Sequence, residues 1–221
     1  MSRKFLSGNE AFAEGIRLAR PQVISAYPIT PQTIVVERLS EMVEDGSLNA
    51  EYVHVESEHS ALSCAIGASA AGVRAFTATS SQGLLYMAEC LYYAAGGRFP
   101  IVMMNADRST ALPWNIYGDQ RDSLSQLDSG WIQAYAENAQ EALDLALMSY
   151  KIAEDKAEKS DLANRAFTAF RMAERRVVVI PSGEIVKSVI CQFQFCPSGK
   201  TGNPSDCRLG ARDLYVILLS G

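Results

Sequence analysis

Over residues 1–150 the chain alternates short apolar runs with amphipathic stretches of helical period, and few folds accept that order. "NEAFAEGIRLA" (9–19) puts Phe12, Ile16 and Ala19 on one helical face, with Asn9 expected as its cap. "QVISAY" (22–27) reads as a buried strand, and "PQTIVVERLSEMVEDG" (31–46) as an amphipathic helix stopped by Gly46. The alternation continues with strand "EYVHVE" (51–56), helix "SEHSALSCAIGASAAG" (57–72), strand "VRAFTATS" (73–80) and helix "QGLLYMAECLYYAAGG" (82–97). "PIVMMNA" (100–106) and "WIQAYA" (131–136) predict two further strands, before the helix "NAQEALDLALMSYKIAEDK" (138–156). Strands separated by helices predict an α/β fold, a parallel sheet with helices on both faces. Ligands of such sheets collect at the carboxyl ends of the strands.

Polar groups sit at those ends. The first strand runs into Tyr27-Pro28-Ile29-Thr30-Pro31, and the second into Glu56-Ser57-Glu58-His59-Ser60. The third reaches Thr79-Ser80-Ser81-Gln82-Gly83, and the fourth Asn105-Ala106-Asp107-Arg108-Ser109. Within "AYPITPQT" (26–33), Pro28 and Pro31 fix φ and remove two backbone donors, so the segment cannot continue as an interior strand. Local chemistry allows a plain strand-to-helix turn with Pro31 at the first helical position, or a stiffened turn that presents Thr30. No GxGxxG or GxxxxGK[ST] is present, which argues against a dinucleotide or nucleoside triphosphate site. Only His54 and His59 are available as histidines, and no serine lies in a GxSxG elbow.

Charge is unevenly placed. Residues 1–150 hold 9 Lys+Arg against 17 Asp+Glu, while 151–221 hold 11 against 8, so −8 gives way to +3. An acidic first part excludes a nucleic-acid surface there, and the shift near residue 150 suggests a domain or homology limit. The five cysteines (Cys64, Cys90, Cys191, Cys196, Cys207) include no CxxC pair, and read as reduced thiols of a cytoplasmic protein. No stretch is long and apolar enough to span a membrane, and "MSRKFLSGNE" lacks a signal-peptide apolar region.

Five segments together resemble the alpha subunit of pyruvate:ferredoxin oxidoreductase (pyruvate synthase), of the 2-oxoacid:ferredoxin oxidoreductase family. They are "SGNEAFAEGIRLA", "AYPITPQT", "VESEHSALSCAIGASAAG", "TATSSQGLLYMAE" and "GDQRDSLSQLDSGWIQAYAENAQEALD", in the family's order over residues 5–155. The resemblance implies a thiamine-diphosphate-binding fold, with this chain as the pyrimidine-binding domain. Oxidative decarboxylation of pyruvate to acetyl-CoA and CO2 would follow, reversible towards pyruvate synthesis, with ferredoxin as electron acceptor and coenzyme A as co-substrate. Thiamine diphosphate would be shared with a beta subunit. Mg2+ and [4Fe-4S] clusters would belong to partner beta, gamma and delta subunits, and this chain would hold no metal.

By the family's Ser-Glu motif, the acid that meets the cofactor is Glu58. A carboxyl bonded to the aminopyrimidine ring nitrogen favours the imino tautomer, which can take the thiazolium proton. Glu56 is the rival by chemistry alone, and either acid also suits a helix N-terminus by about 0.3–1 kcal/mol. The family's YPITP turn implies that Thr30 bonds the 2-oxoacid near its reacting carbon, with Tyr27 and Pro28 beside the cofactor. Arg108 resembles the arginine that meets the substrate carboxylate, its alternative being a surface ion pair. Ser80, Ser81 and Gln82 are expected to line the cleft. His59 fits a helix start as well as a site, and Met87, Tyr92 and Tyr93 fall at the spacing of core or interface residues.

Residues 157–221 form, on this reading, a divergent tail of unknown role, leaving the fold incomplete at the C-terminus. The tail predicts a helix at 161–174 and a strand at 176–181, and is expected to lack the strands that would complete the sheet. Its "SGKTG" is no complete phosphate loop. Two alternatives stay open: a branched-chain (2-oxoisovalerate) enzyme with nearly the same motifs, and an inactive fragment serving as an interaction module.

Overall fold

The computed structural model describes residues 4–113, 115–154, 165–170 and 177–179. In chain order the elements are β1 (Lys4–Leu6), α1 (Gly8–Ala19), β2 (Val23–Ala26), α2 (Thr33–Glu44), β3 (Glu51–His54), α3 (Glu58–Ala70), β4 (Ala75–Thr79) and α4 (Gln82–Tyr86). There follow α5 (Ala88–Gly96), β5 (Ile101–Ala106), α6 (Arg121–Leu124), β6 (Ile132–Ala136), α7 (Ala139–Ala153), β7 (Arg165–Phe170) and β8 (Val177–Val179).

Six strands form one sheet in the order β3-β2-β4-β5-β7-β6, and every pairing is parallel. The pleat of β5 shows why its sequence is apolar throughout. Val102 and Met104 join Phe12, Ile16, Leu39 and Phe76 on one face, while Ile101 and Met103 join Leu62, Leu84 and Leu91 on the other. Burying such a side chain is worth about 1.5–3 kcal/mol, so a strand between two helical layers gains on both faces. A small antiparallel pair, β1 with β8, places Lys4 opposite Val179.

Between β2 and β4 the sheet divides. The two strands pair only at Val23–Ala75 and Ile24–Phe76, whereas β2 follows β3 to Ala26 and β4 follows β5 to Thr79. The chain also reverses its direction of travel across the sheet at this point, since β3 lies on one side of β2 and β4 on the other. A crevice at the carboxyl edge is the geometric result.

Several local expectations are corrected. Ser7, not Asn9, caps α1, and it closes a reciprocal capping box with Glu10. Asn9 is buried one turn in, where its Nδ2 donates to the Pro31 carbonyl at 2.9 Å. Pro31 does not open α2, which begins at Thr33. The helix expected at 82–97 is interrupted at Met87. Arg165–Phe170, expected within a helix at 161–174, is a strand seated between β5 and β6, so part of the segment beyond residue 156 belongs to the sheet. The strand expected at 176–181 is present as Val177–Val179.

At the amino edge, Arg74 grips the Glu154 carboxylate through Nε (2.5 Å) and Nη2 (2.6 Å), lies 5.0 Å over the Tyr150 ring and donates to the Ala19 carbonyl. This clamp ties the end of α7 to the entry of β4, on the edge away from the crevice. α7 also packs closely on α1. A methyl group at Gly15 would lie 2.7 Å from Ala146 Cβ and 2.8 Å from the Leu143 carbonyl oxygen. Neither neighbour is the end of a flexible chain. Gly15→Ala is therefore expected to lower unfolding free energy by about 1–3 kcal/mol through overpacking, read as a fall in the urea midpoint at unchanged slope.

Candidate active site

Ordinary backbone needs build most of the crevice. Where β2 and β4 part, the carbonyls of Tyr27 and Ala78 lose any partner across the gap, and the Gln32 side chain enters it. Its Nε2 donates to Tyr27 O at 3.0 Å and to Ala78 O at 2.8 Å, and the residue is fully buried. Gln32 Oε1 and Thr79 Oγ1 are buried there without a hydrogen-bond partner. The proline turn is thus held from below by Gln32 and from the side by Asn9. Tyr27 is 37% exposed, and Pro28 and Thr30 are exposed at the rim.

Glu58 and Glu56 separate in space. Ser57 caps α3, its Oγ accepting from the Ser60 amide at 3.1 Å, so Glu58 becomes the first helical residue. Its side chain turns inward and is 9% exposed. Glu56 is exposed and accepts from the Ser60 hydroxyl at 3.0 Å. The Glu58 carboxyl lies against the backbone of Gly83, where a methyl group would fall 2.7 Å from Glu58 Oε1 and 2.4 Å from Thr79 Oγ1. Only glycine leaves room there for the Glu58 and Thr79 side chains. The carboxyl makes no hydrogen bond among the described residues, which suits a group whose partner comes from a ligand.

The opposite wall is a connected polar set. Arg108 donates through Nη1 to the Thr30 carbonyl at 2.7 Å and through Nη2 to Gln82 Oε1 at 3.0 Å. This joins the ends of β2, β4 and β5, and it engages the Thr30 carbonyl rather than its hydroxyl. Ser80 Oγ donates to Ala106 O, and the Ser81 hydroxyl proton is shared between Ser109 O and Gln82 Oε1, at 2.7 and 2.6 Å. Ser81 holds φ +49° and ψ −120°, a strained conformation for a residue with a side chain. Its hydroxyl is committed to these bonds, so it is no nucleophile.

Two buried aspartates lie beneath this wall, and neither was singled out from the sequence. Asp122 accepts at Oδ2 from Ser81 N (2.8 Å), Asn105 Nδ2 (3.0 Å) and Arg108 N (3.2 Å), and at Oδ1 from Ser123 N (2.9 Å). Asp107 accepts from Asn105 Nδ2 at 2.6 Å. Burial, reinforced by the Asp122 carboxyl nearby, pushes the Asp107 carboxyl well above the usual range. Burial also raises the nearby Tyr135 phenol to about 12. A signal was available in part, since Asp107 stands at a strand end.

Other candidates fall elsewhere. His59 Nε2 is 3.4 Å from Cys90 Sγ, away from the Glu58 carboxyl's inward face. Met87 is a core residue, while Tyr92 and Tyr93 are exposed, Tyr92 donating to Asp128 at 2.8 Å. Among the described residues no group of three or more His, Cys, Asp or Glu could hold a metal ion, and no helix is long and apolar enough to cross a membrane.

The architecture matches that of solved proteins. The 2-oxoglutarate:ferredoxin oxidoreductase from Magnetococcus marinus, with 2-oxoglutarate, coenzyme A and succinyl-CoA bound, superposes with a TM-score of 0.66 at 23% identity, covering 76% of this chain and 29% of that one. The pyruvate synthase subunit PorA of Pyrococcus horikoshii is 52% identical over 193 residues, 87% of this chain and 49% of the relative. The ketoisovalerate oxidoreductase subunit VorA of the same organism is 55% identical over 152 residues, 69% of this chain and 39% of the relative. The chain thus spans about half the length of the PorA relative and less of VorA. The sequence profile described as pyruvate flavodoxin/ferredoxin oxidoreductase, thiamine diphosphate-binding, matches residues 14–196, well past the limit near 155 set by the motifs. On that match and on the crevice just described, the chain belongs to the thiamine diphosphate-binding family of pyruvate flavodoxin/ferredoxin oxidoreductases.

Proposed function

We propose that this chain is the pyrimidine-binding part of a 2-oxoacid:ferredoxin oxidoreductase that acts on pyruvate. One observation carries the assignment of the site: the Glu58 side chain, largely buried and without a hydrogen bond among the described residues, packs against Gly83, where no side chain could stand. The orphaned Gln32 Oε1 and Thr79 Oγ1 beside it also fit a heteroaromatic ring that brings its own donors. Thiamine diphosphate, when bound, supplies the carbon nucleophile and electron sink that cleavage beside a carbonyl requires.

Glu58 would hold a proton at the ring nitrogen of the aminopyrimidine. Tyr27, Pro28, Ser81 and Gln82 would line the place of that ring. Arg108 meets the substrate carboxylate, and Thr30, on a turn pre-set by two prolines, directs its hydroxyl at the reacting carbonyl. Mg2+ and iron–sulfur clusters are assigned to beta, gamma and delta partner subunits, and ferredoxin is reached through them. Coenzyme A enters the assembled enzyme. Free Cys64 and Cys90 fit a cytoplasmic setting. Pyruvate is preferred because the PorA relative aligns over 193 residues. The VorA relative, slightly more identical over its 152, supports a branched-chain 2-oxoacid as the second assignment.

Glu58→Gln tests the first role, because glutamine keeps the shape and cannot exchange the proton. In the assembled enzyme, pyruvate-dependent viologen reduction is expected to fall by at least about 10²-fold with assembly intact. Turnover within a few-fold of the parent removes Glu58 from the chemistry. Arg108→Leu is expected to act mainly on KM, with a loss of about 2–5 kcal/mol for a buried carboxylate contact. Thr30→Val is expected to lower kcat more than it raises KM. Steady-state kinetics in which neither constant moves excludes both residues from the site.

A further inference from the structure

Arg108 and Gln82 reach the crevice from two different strand ends, and something must fix the distance between those ends. The ladder cannot, because β4 and β5 stop pairing at Thr79–Asn105, short of both residues. Asp122 stands where the ladder stops. Its Oδ2 gathers the backbone N–H of Ser81, the backbone N–H of Arg108 and the Asn105 amide, and its Oδ1 is held by the Ser123 N–H. The carboxyl is completely buried, on the four-residue helix α6. We propose that Asp122 is a positioning residue, whose carboxylate sets Arg108 and Gln82 against the substrate carboxylate by holding the amides beside them.

Three features support the assignment. Ser81 is the strained residue of the β4–α4 turn, and its N–H makes the shortest of the four bonds to Asp122. Strain of that kind persists only where surroundings impose it. Gln82, the next residue, accepts from Arg108 Nη2, so a shift at Ser81 moves an Arg108 partner. Asparagine cannot replace the carboxylate, because its NH2 group must face either the Ser81 and Arg108 donors or the Ser123 donor. Asp122 touches neither substrate nor cofactor on this account.

This inference rests on the role given to Arg108 above, and the experiment separates the two. The full chain, assembled with its partner subunits, is prepared as Asp122→Asn, Arg108→Leu and the double variant, and KM and kcat for pyruvate are measured. Asp122→Asn is expected to raise KM by about tenfold, the loss of roughly one buried hydrogen bond, with kcat changed less. In the Arg108→Leu background the same substitution is expected to change KM by less than about twofold, because contacting residues are not additive. Exchange of the Ser81 and Arg108 amides, followed without substrate, is expected to quicken in Asp122→Asn. A KM that rises in Arg108→Leu but not in Asp122→Asn overturns the positioning role and leaves the functional assignment standing. Equal effects of Asp122→Asn in both backgrounds also overturn it, and so do unchanged amides. An Arg108→Leu enzyme with parental KM removes the functional role of Arg108 and this inference with it. Should Asp122→Asn not assemble, Asp122→Glu is carried through the same cycle, and failure of both makes Asp122 a folding residue and ends the proposal.

Discussion

The divergence of β2 from β4 decides where everything else can be. Two paired positions, Val23–Ala75 and Ile24–Phe76, hold these strands together at their amino ends, and no ladder continues beyond them. Carbonyls that would have faced a neighbouring strand then require other donors, since a buried carbonyl left unmet costs about 1–3 kcal/mol. Gln32 supplies two of these bonds with one side chain, so the opening stays open without leaving Tyr27 or Ala78 bare. The same solution leaves Gln32 Oε1 unmet and turned to no protein donor. A crevice formed this way is polar by necessity.

Much of the architecture was legible because a parallel sheet buries both faces of its strands. "IVMM" is apolar in either register, and α1 and α2 show a clean amphipathic period. Competition for side chains defeated the finer expectations. Asn9 looked like a helix cap, yet its amide is taken by Pro31 O and Ser7 fills the capping role. "DLANRAFTAFRMAE" contains good helix formers, but a vacant place between β5 and β6 pairs with Arg165–Phe170 along its whole length. Tertiary pairing outweighed local propensity there.

That the candidate strand ends lie together was legible to a similar depth. Strand ends carrying Thr30, Glu58, Ser81, Gln82 and Arg108 do converge, since a parallel sheet delivers its carboxyl ends to one edge. Spacing alone left Glu56 and Glu58 as rivals, because they lie two residues apart in a turn. The Ser57 cap resolves them by starting α3 at Glu58, which turns that side chain towards Gly83. Asp122 was invisible for a different reason. Asp119, Asp122 and Asp128 look alike in a polar loop, yet Asp119 pairs with Arg121 at the surface and Asp128 receives the Tyr92 hydroxyl. Only the fold reveals which carboxylate turns inward.

In the role proposed above, Arg108 contributes less than its strongest contact. Its guanidinium donates to two neutral acceptors, the Thr30 carbonyl and the Gln82 amide oxygen. A carboxylate arriving in the crevice would compete with these acceptors, so the gain is the difference between an ion pair and bonds in which only the guanidinium is charged. The ion pair is the stronger of the two, which leaves a net gain while making it smaller than the bare contact suggests. The bonds to Thr30 and Gln82 have a second effect. They hold the long side chain in one rotamer, so less of its conformational entropy, about 2 kcal/mol for a free arginine, remains to be lost on binding. Strength is exchanged for preorganisation, and the exchange works only while the Thr30 turn and the Gln82 turn keep their spacing. That spacing is a property of the backbone at Asn9, Gln32 and Ser81, none of which needs to touch the substrate.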